Sequence, residues 1–257
     1  MTQRYTYAWL IILLSLVLIQ KPASAATYYL TSAGAANAQT PGSWNTNPAG
    51  GGNPANNFIT DDDIFIVPEG ISGTVSSDWD FGYDASAGKR QLYLEIRGTL
   101  TFNDNTTTTL KSKHSTGLAQ VRVFEGGKTI FLGTGTRVIG NTGSNANSNN
   151  LQFIFDDGAI ISSQHPDGVG TTSTVGSINT AQISINIGAV AYEYTGSATL
   201  DLGPATINGD LLVGGTTTLT ATGALDISGD LIVESGATFN GGSFTHTIAG
   251  NIDVDGT

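Results

Sequence analysis

The chain has no cysteine and a single methionine in 257 residues. Disulfides cannot hold it, and a lipid cannot be attached through a cysteine at a cleavage site. Its stability has to come from side-chain burial. Charge is also scarce, with Asp, Glu, Lys and Arg making up 12% of residues against about a quarter in ordinary globular domains. Basic residues are the scarcest: ten Lys and Arg against 21 Asp and Glu, for a formal net charge of −11. Duplex nucleic acid and anionic membranes both call for a basic face, so neither is an expected partner. No stretch carries a 3.6-residue apolar period, which argues against a helical fold. The longest apolar run, Ala8 to Ile19, is too short for the ~20 residues that cross a bilayer.

That run has a different reading. Arg4 precedes it and Ala23-Ser24-Ala25 follows it as an A-x-A cleavage site, the order of an export signal. Residues 1–25 are therefore expected to be a signal peptide, with cleavage after Ala25 and no membrane span afterwards. Arg4 and Lys21 leave with it, so the mature chain is more acidic still. The expected location is secreted or cell-surface, and the absence of cysteine points to a bacterial source.

What the chain has in abundance is glycine, 34 residues, and near its end glycine marks a recurring phrase. Ile207-Asn208-Gly209-Asp210-Leu211-Leu212-Val213 returns as Ile227-Ser228-Gly229-Asp230-Leu231-Ile232-Val233, then as Ile248-Ala249-Gly250-Asn251-Ile252-Asp253-Val254. A period of about 20 residues with strand-like alternation is the signature of a β-solenoid. Alternate residues point inward, which predicts three stacks: Ile207, Ile227, Ile248; Leu211, Leu231, Ile252; and Val213, Val233, Val254. The expected fold is all-β, a right-handed parallel β-helix with an irregular N-terminal cap.

Earlier segments repeat the phrase loosely. Val67-Pro68-Glu69-Gly70 and Val123-Phe124-Glu125-Gly126 echo Val233-Glu234-Ser235-Gly236, and Ile96-Arg97-Gly98-Thr99-Leu100 echoes the Gly-Asp-Leu units. Strand-like runs include Ile64 to Val67, Gln91 to Ile96, Thr99 to Phe102, Val121 to Phe124, Thr129 to Leu132, Leu151 to Phe155, Ile183 to Ile187 and Ala191 to Tyr194. The expected organisation is a signal peptide over 1–25, a cap with a Trp44-containing loop over 26–62, and the β-helix over 63–257. At ~4.8 Å between stacked strands, roughly eight to ten coils would make a rod of 40–50 Å. The bare repeat at Asp255-Gly256-Thr257 leads us to expect a truncated product or fragment.

The stretch from Trp44 through Asp61-Asp62-Asp63-Ile64-Phe65-Ile66-Val67-Pro68-Glu69-Gly70 to Leu94-Glu95-Ile96-Arg97-Gly98-Thr99-Leu100-Thr101-Phe102 resembles the opening of large cell-surface proteins of Bacteroidota. It is also similar to the glycine-patterned G8 domain. The Val190-Ala191-Tyr192-Glu193-Tyr194-Thr195-Gly196 segment and the units after it are similar to repeats of the same surface proteins. The resemblance implies a secreted β-helical adhesin or scaffold, whose partners would be extracellular glycans or other cell-surface proteins.

The residues that could carry chemistry are few. Asp61, Asp62 and Asp63 are the densest acidic cluster and read either as a Ca²⁺ site or as a solvated turn. No EF-hand or nonapeptide pattern surrounds them, so no cofactor is expected. Asp210, Asp230 and Asn251 would stack at one corner, as a ligand ladder or as caps on turn amides. Trp79, Phe81 and Tyr83 alternate and share a face if extended; they are either a glycan-stacking platform or a hydrophobic cover for the N-terminal end. Further candidate contact loops are Asn141 to Asn150 and Gln164 to Ser177. His114, His165 and His246 have no metal-ligand spacing, and no catalytic constellation emerges. Thr216-x-Thr218 is followed one repeat later by Gly236-x-Thr238, which breaks the register an ice-binding face needs. The expected function is a non-catalytic structural or adhesion module, with a β-helical polysaccharide lyase or glycoside hydrolase as the alternative.

Overall fold

Short alternating runs closed by turns form strands that pair across the repeat. The computed structural model describes residues 25–60, 62–82, 92–110, 119–140, 151–169, 176–179, 183–197, 199–202 and 205–257. It is all-β, and no α-helix occurs among the described residues; two 3₁₀ turns, Ala35–Asn37 and Pro41–Ser43, shape the early loop. None of the described residues forms a helix long and apolar enough to cross a membrane.

The longest sheet has eight strands in chain order: Ser72–Val75, Thr99–Phe102, Lys128–Phe131, Ile160–Ser163, Ala191–Tyr194, Leu211–Val213, Leu231–Val233 and Ile252–Val254. A seven-stranded sheet runs from Trp44–Asn45 through Thr27–Leu30, Ile64–Val67, Leu92–Ile96, Ala119–Val123 and Leu151–Phe155 to Ser184–Ile187. Three three-stranded sheets complete the layers. Trp79–Phe81, Thr108–Leu110 and Val138–Gly140 form the first. Thr199–Leu202, Thr218–Ala221 and Thr238–Asn240 form the second, and Ala205–Ile207, Leu225–Ile227 and Thr247–Ile248 the third. Among the described residues every pairing of these strands is parallel except that of Thr27–Leu30 with Trp44–Asn45, next to an isolated antiparallel bridge between Asn45 and Pro54.

Register turns the alternation into continuous inward-facing files, buried along most of their length. In the long sheet one file runs Gly73, Leu100, Thr129, Ile161, Tyr192, Leu211, Leu231, Ile252. Its neighbour runs Val75, Phe102, Phe131, Ser163, Tyr194, Val213, Val233, Val254, with the Phe102 and Phe131 rings stacked at 5.1 Å. Partners in the first five strands lie about 30 residues apart and those in the last four about 20, both within the range of stacked repeats. The three stacks expected from the tail phrase are register partners here, Ile207 with Ile227 with Ile248 among them. Ile207 and Ile227 are fully buried, Ile248 is half-buried, and on the last strand Ile252 and Val254 are exposed.

The buried residues separate into two clusters, one from Leu30 to Val190 and one from Tyr194 to Ala237; Tyr192 packs against both. The first begins under a plug of aromatic rings. Trp44 is fully buried against Phe65 at 5.4 Å, Phe58 at 6.4 Å and Trp79 at 6.3 Å, and its indole N–H donates to the Ala38 carbonyl at 2.6 Å. The loop that sequence leaves irregular is thus fastened by one large side chain.

One buried position is poorly matched to its surroundings. Thr129 lies in a core file between Leu100 and Ile161, and its hydroxyl has no hydrogen-bond partner. An unpaired buried hydroxyl costs free energy that an isosteric methyl does not. Thr129→Val is expected to raise the unfolding free energy by ~1 kcal/mol, read from the urea midpoint. An unchanged or lowered midpoint would count against this account.

Candidate functional site

The corner where strands of the seven-stranded sheet end carries a groove of about 820 Å³. Its wall repeats from layer to layer. After the register file Val67, Ile96, Val123, Phe155, Ile187, the next residues climb a backbone ladder. The Arg97 N–H donates to the Val67 carbonyl at 2.9 Å, Phe124 to Ile96 at 2.9 Å, Asp156 to Val123 at 2.9 Å and Gly188 to Phe155 at 2.8 Å. The turns that follow keep their reversal by left-handed glycines, Gly70, Gly126 and Gly158, at φ 75°, 74° and 77°, a conformation side chains resist.

On this ladder two guanidinium groups flank one ring. Arg97 Cζ lies 4.7 Å and Arg122 Cζ 5.0 Å from the centre of Phe124. Each guanidinium is fixed by a carboxylate: Arg97 Nη2 donates to Glu95 Oε2 at 2.7 Å, and Arg122 Nε to Asp156 Oδ2 at 2.9 Å and Oδ1 at 3.1 Å. Glu69, Glu125 and Asp157 also line the groove. Acidic groups outnumber the two arginines, so polyanions are disfavoured here. The groove thus sets guanidinium nitrogens and carboxylate oxygens around one half-buried aromatic ring.

Several expected site residues have other roles. Trp79 is 2% exposed and Phe81 fully buried. Both pack in the aromatic plug, with Phe58 at 5.1 Å and 5.9 Å. The glycan platform is therefore corrected: these two rings cover the N-terminal end and cannot meet a sugar in solvent, while Tyr83 lies outside the described residues. Asp61 also lies outside them. Asp62 is exposed in a left-handed turn at φ 65°, and Asp63 points inward, 3% exposed, accepting from the Ala26 N–H at 2.8 Å. Burial pushes the Asp63 carboxyl up, the Ala26 hydrogen bond offsets part of this, and the Asp62 charge adds to it. Among the described residues no three His, Cys, Asp or Glu side chains are grouped to hold a metal ion.

The Asp corner caps amides. Asp210 Oδ1 accepts the Asp230 N–H at 2.8 Å, and Asp230 Oδ1 accepts the Asn251 N–H at 2.7 Å. Gly229 and Gly250 are required beside them, because a Cβ would strike the Asp oxygens below. The strand that follows Thr216-x-Thr218 begins at Thr218. Thr218 and Thr220 face out around buried Leu219, in register with Thr238 and Asn240 on one side and Thr199 and Asp201 on the other. The T-x-T pair thus occurs on one strand of three.

The histidines hold backbone. His246 Nδ1 accepts from Leu225 N–H at 3.1 Å, and its Nε2 lies 2.8 Å from the Gly241 carbonyl, which fixes the Nε2–H tautomer. His165 Nδ1 accepts from Asp167 N–H at 3.0 Å. Burial lowers its pKa, the Asp167 charge raises it, and Arg137 lowers it further. His114, Asn141 to Asn150 and residues 170–175 lie outside the described residues. Of the remaining loop, Gln164 Oε1 accepts from Gly133 N–H at 2.8 Å. Glu69, Phe124, Glu125, Asp156 and Asp157 lie inside a shared apolar-x-x-Gly ending, whereas no such sequence signal marks Arg97 and Arg122.

No protein-family model, curated protein or solved structure matches the chain.

Proposed function

We propose that this is a secreted or cell-surface β-helix, right-handed, acting as a non-catalytic structural or adhesion module that grips neutral glycans in the corner groove. The observation that carries the reading is the ladder of Arg97, Phe124 and Asp156, one residue per layer beside Arg122. Parallel strands joined by successive turns favour the solenoid path, and parallel crossovers are right-handed in nearly all proteins. A stacked scaffold presents its corner residues at a fixed pitch of ~4.8 Å, so an extended polymer lying along the corner meets the same spacing repeatedly. The resemblance to Bacteroidota surface proteins supports display outside the cell.

A glycan array followed by calorimetry tests the binding. Neutral polysaccharides are expected to bind and acidic ones not. Phe124→Ala combined with Arg122→Ala is expected to weaken binding at least ~10-fold, the loss of about 1.4 kcal/mol. Binding unchanged by the pair would move the site off the groove. Release of unsaturated or reducing-end products from any polysaccharide would overturn the non-catalytic reading in favour of a lyase or hydrolase.

A further inference from the structure

The Ala25–Ala26 bond and the Asp63 carboxylate come together at the start of the first strand. Ala23-Ser24-Ala25 has small residues at both positions an export-signal peptidase reads, and Ala25 is exposed. One residue later the chain is locked. The Ala26 N–H donates to Asp63 Oδ1 at 2.8 Å, its carbonyl accepts from Ile64 N–H at 2.9 Å, and Thr27 pairs with Ile64.

Asp63 is 3% exposed, and among the described residues no Lys, Arg or His pairs with it. Its charged neighbour is Asp62, and Tyr28 on the facing strand has its own phenol pKa raised by burial and by the Asp63 charge. A buried carboxylate matched only by neutral amide hydrogens is under-compensated, and a cation at the same point would complete it.

We propose that Asp63 is the receptor for a new N-terminus, with cleavage after Ala25 seating the α-ammonium of Ala26 on its carboxylate. The inference rests on the export reading above. Water, brought to the bond by a signal peptidase, gives its oxygen to the Ala25 carbonyl carbon and its two hydrogens to the Ala26 nitrogen. The products are a carboxylate that departs with residues 1–25 and an ammonium that stays. Because the nitrogen is already 2.8 Å from the oxygen, the ion pair forms with no movement of the strand. The single neutral donor becomes a charged group with three, and charge-assisted bonds are roughly twice as strong as neutral ones.

The full-length chain is made in an export-competent bacterium, and its exported product is compared with three others: one glycine inserted between Ala25 and Ala26, Asp63→Asn, and both together. The N-terminal residue of the parent product is expected to be Ala26. The insertion and Asp63→Asn are each expected to lower the folding equilibrium constant by roughly 10-fold or more, and the combination by no more than the larger single effect. The parent α-amine is expected to react with an amine-directed label at pH 7 at least ~10-fold more slowly than that of the insertion product, since an amine held as ammonium is a poor nucleophile. That comparison decides the matter even where Asp63→Asn does not fold. A mature N-terminus elsewhere, or an unprocessed chain, would overturn the processing site. Equal labelling and equal stability with Ala26 first would overturn the Asp63 docking and leave export standing.

Discussion

Ile227→Ala is expected to lower the unfolding free energy by ~2–5 kcal/mol, the range for removing a large aliphatic side chain from a core. Ile227 is fully buried and stands between Ile207 and Ile248 in register, so the truncation opens a gap with walls on both sides. Those walls are parts of sheet layers fixed by backbone hydrogen bonds, and they cannot collapse easily into the space. Ile227→Asp is expected to abolish folding altogether, because a lone carboxylate would be placed between two isoleucines with no partner. Urea unfolding followed by circular dichroism measures the first, and soluble yield with proteolysis the second. A loss below ~1 kcal/mol for Ile227→Ala would mean that the layer does not carry load at this file.

Trp44→Ala is expected to cost ~3–5 kcal/mol as a core cavity, with a further loss from the Ala38 carbonyl left without its donor. Trp44 touches rings from the loop, from Ile64–Val67 and from Trp79–Phe81, so its removal loosens three segments at once. Trp44→Phe separates the two contributions, since it keeps most of the ring packing and loses the N–H donor. It is expected to cost ~1–2 kcal/mol. The two variants are compared by urea unfolding of otherwise identical protein. Equal losses would assign the whole effect to the hydrogen bond, and a negligible loss for both would show that the plug is not what fastens the loop.

The tail was the legible part of the fold. There the phrase repeats at nearly constant length, the inward positions are aliphatic, and the register follows from aligning Gly209, Gly229 and Gly250. The first half is harder for a physical reason. Partners such as Ile96, Val123 and Phe155 are separated by unequal connections, so no fixed period reveals that they are neighbours. Short strands such as Ser72–Val75 and Val138–Gly140 have too little alternation to stand out and exist because the layers beside them supply partners. Trp79 and Phe81 share one face around exposed Asp80, but alternation cannot say which side of that face meets water. Trp44 and Phe58, distant in sequence, decide it by covering both rings. The groove stayed hidden for a related reason: Arg97, Phe124 and Asp156 look like unrelated turn residues until the layers are stacked.

The Asp210–Asp230–Asn251 ladder gives this chain a grammar for changing length. Asp210 and Asp230 each hold the amide of the corresponding residue one unit on, so two successive units are joined by the same lock. A gene that gains or loses one whole unit, Gly-Asx strand and return, brings an equivalent amide to an equivalent oxygen and equivalent aliphatic residues into each file. A gain or loss of one residue inside a strand does the opposite, since it turns the inward file outward. Unequal recombination between units is thereby structurally quiet, whereas small slips are not. Length can then change by a whole repeat unit while the aliphatic register of the paired strands is kept.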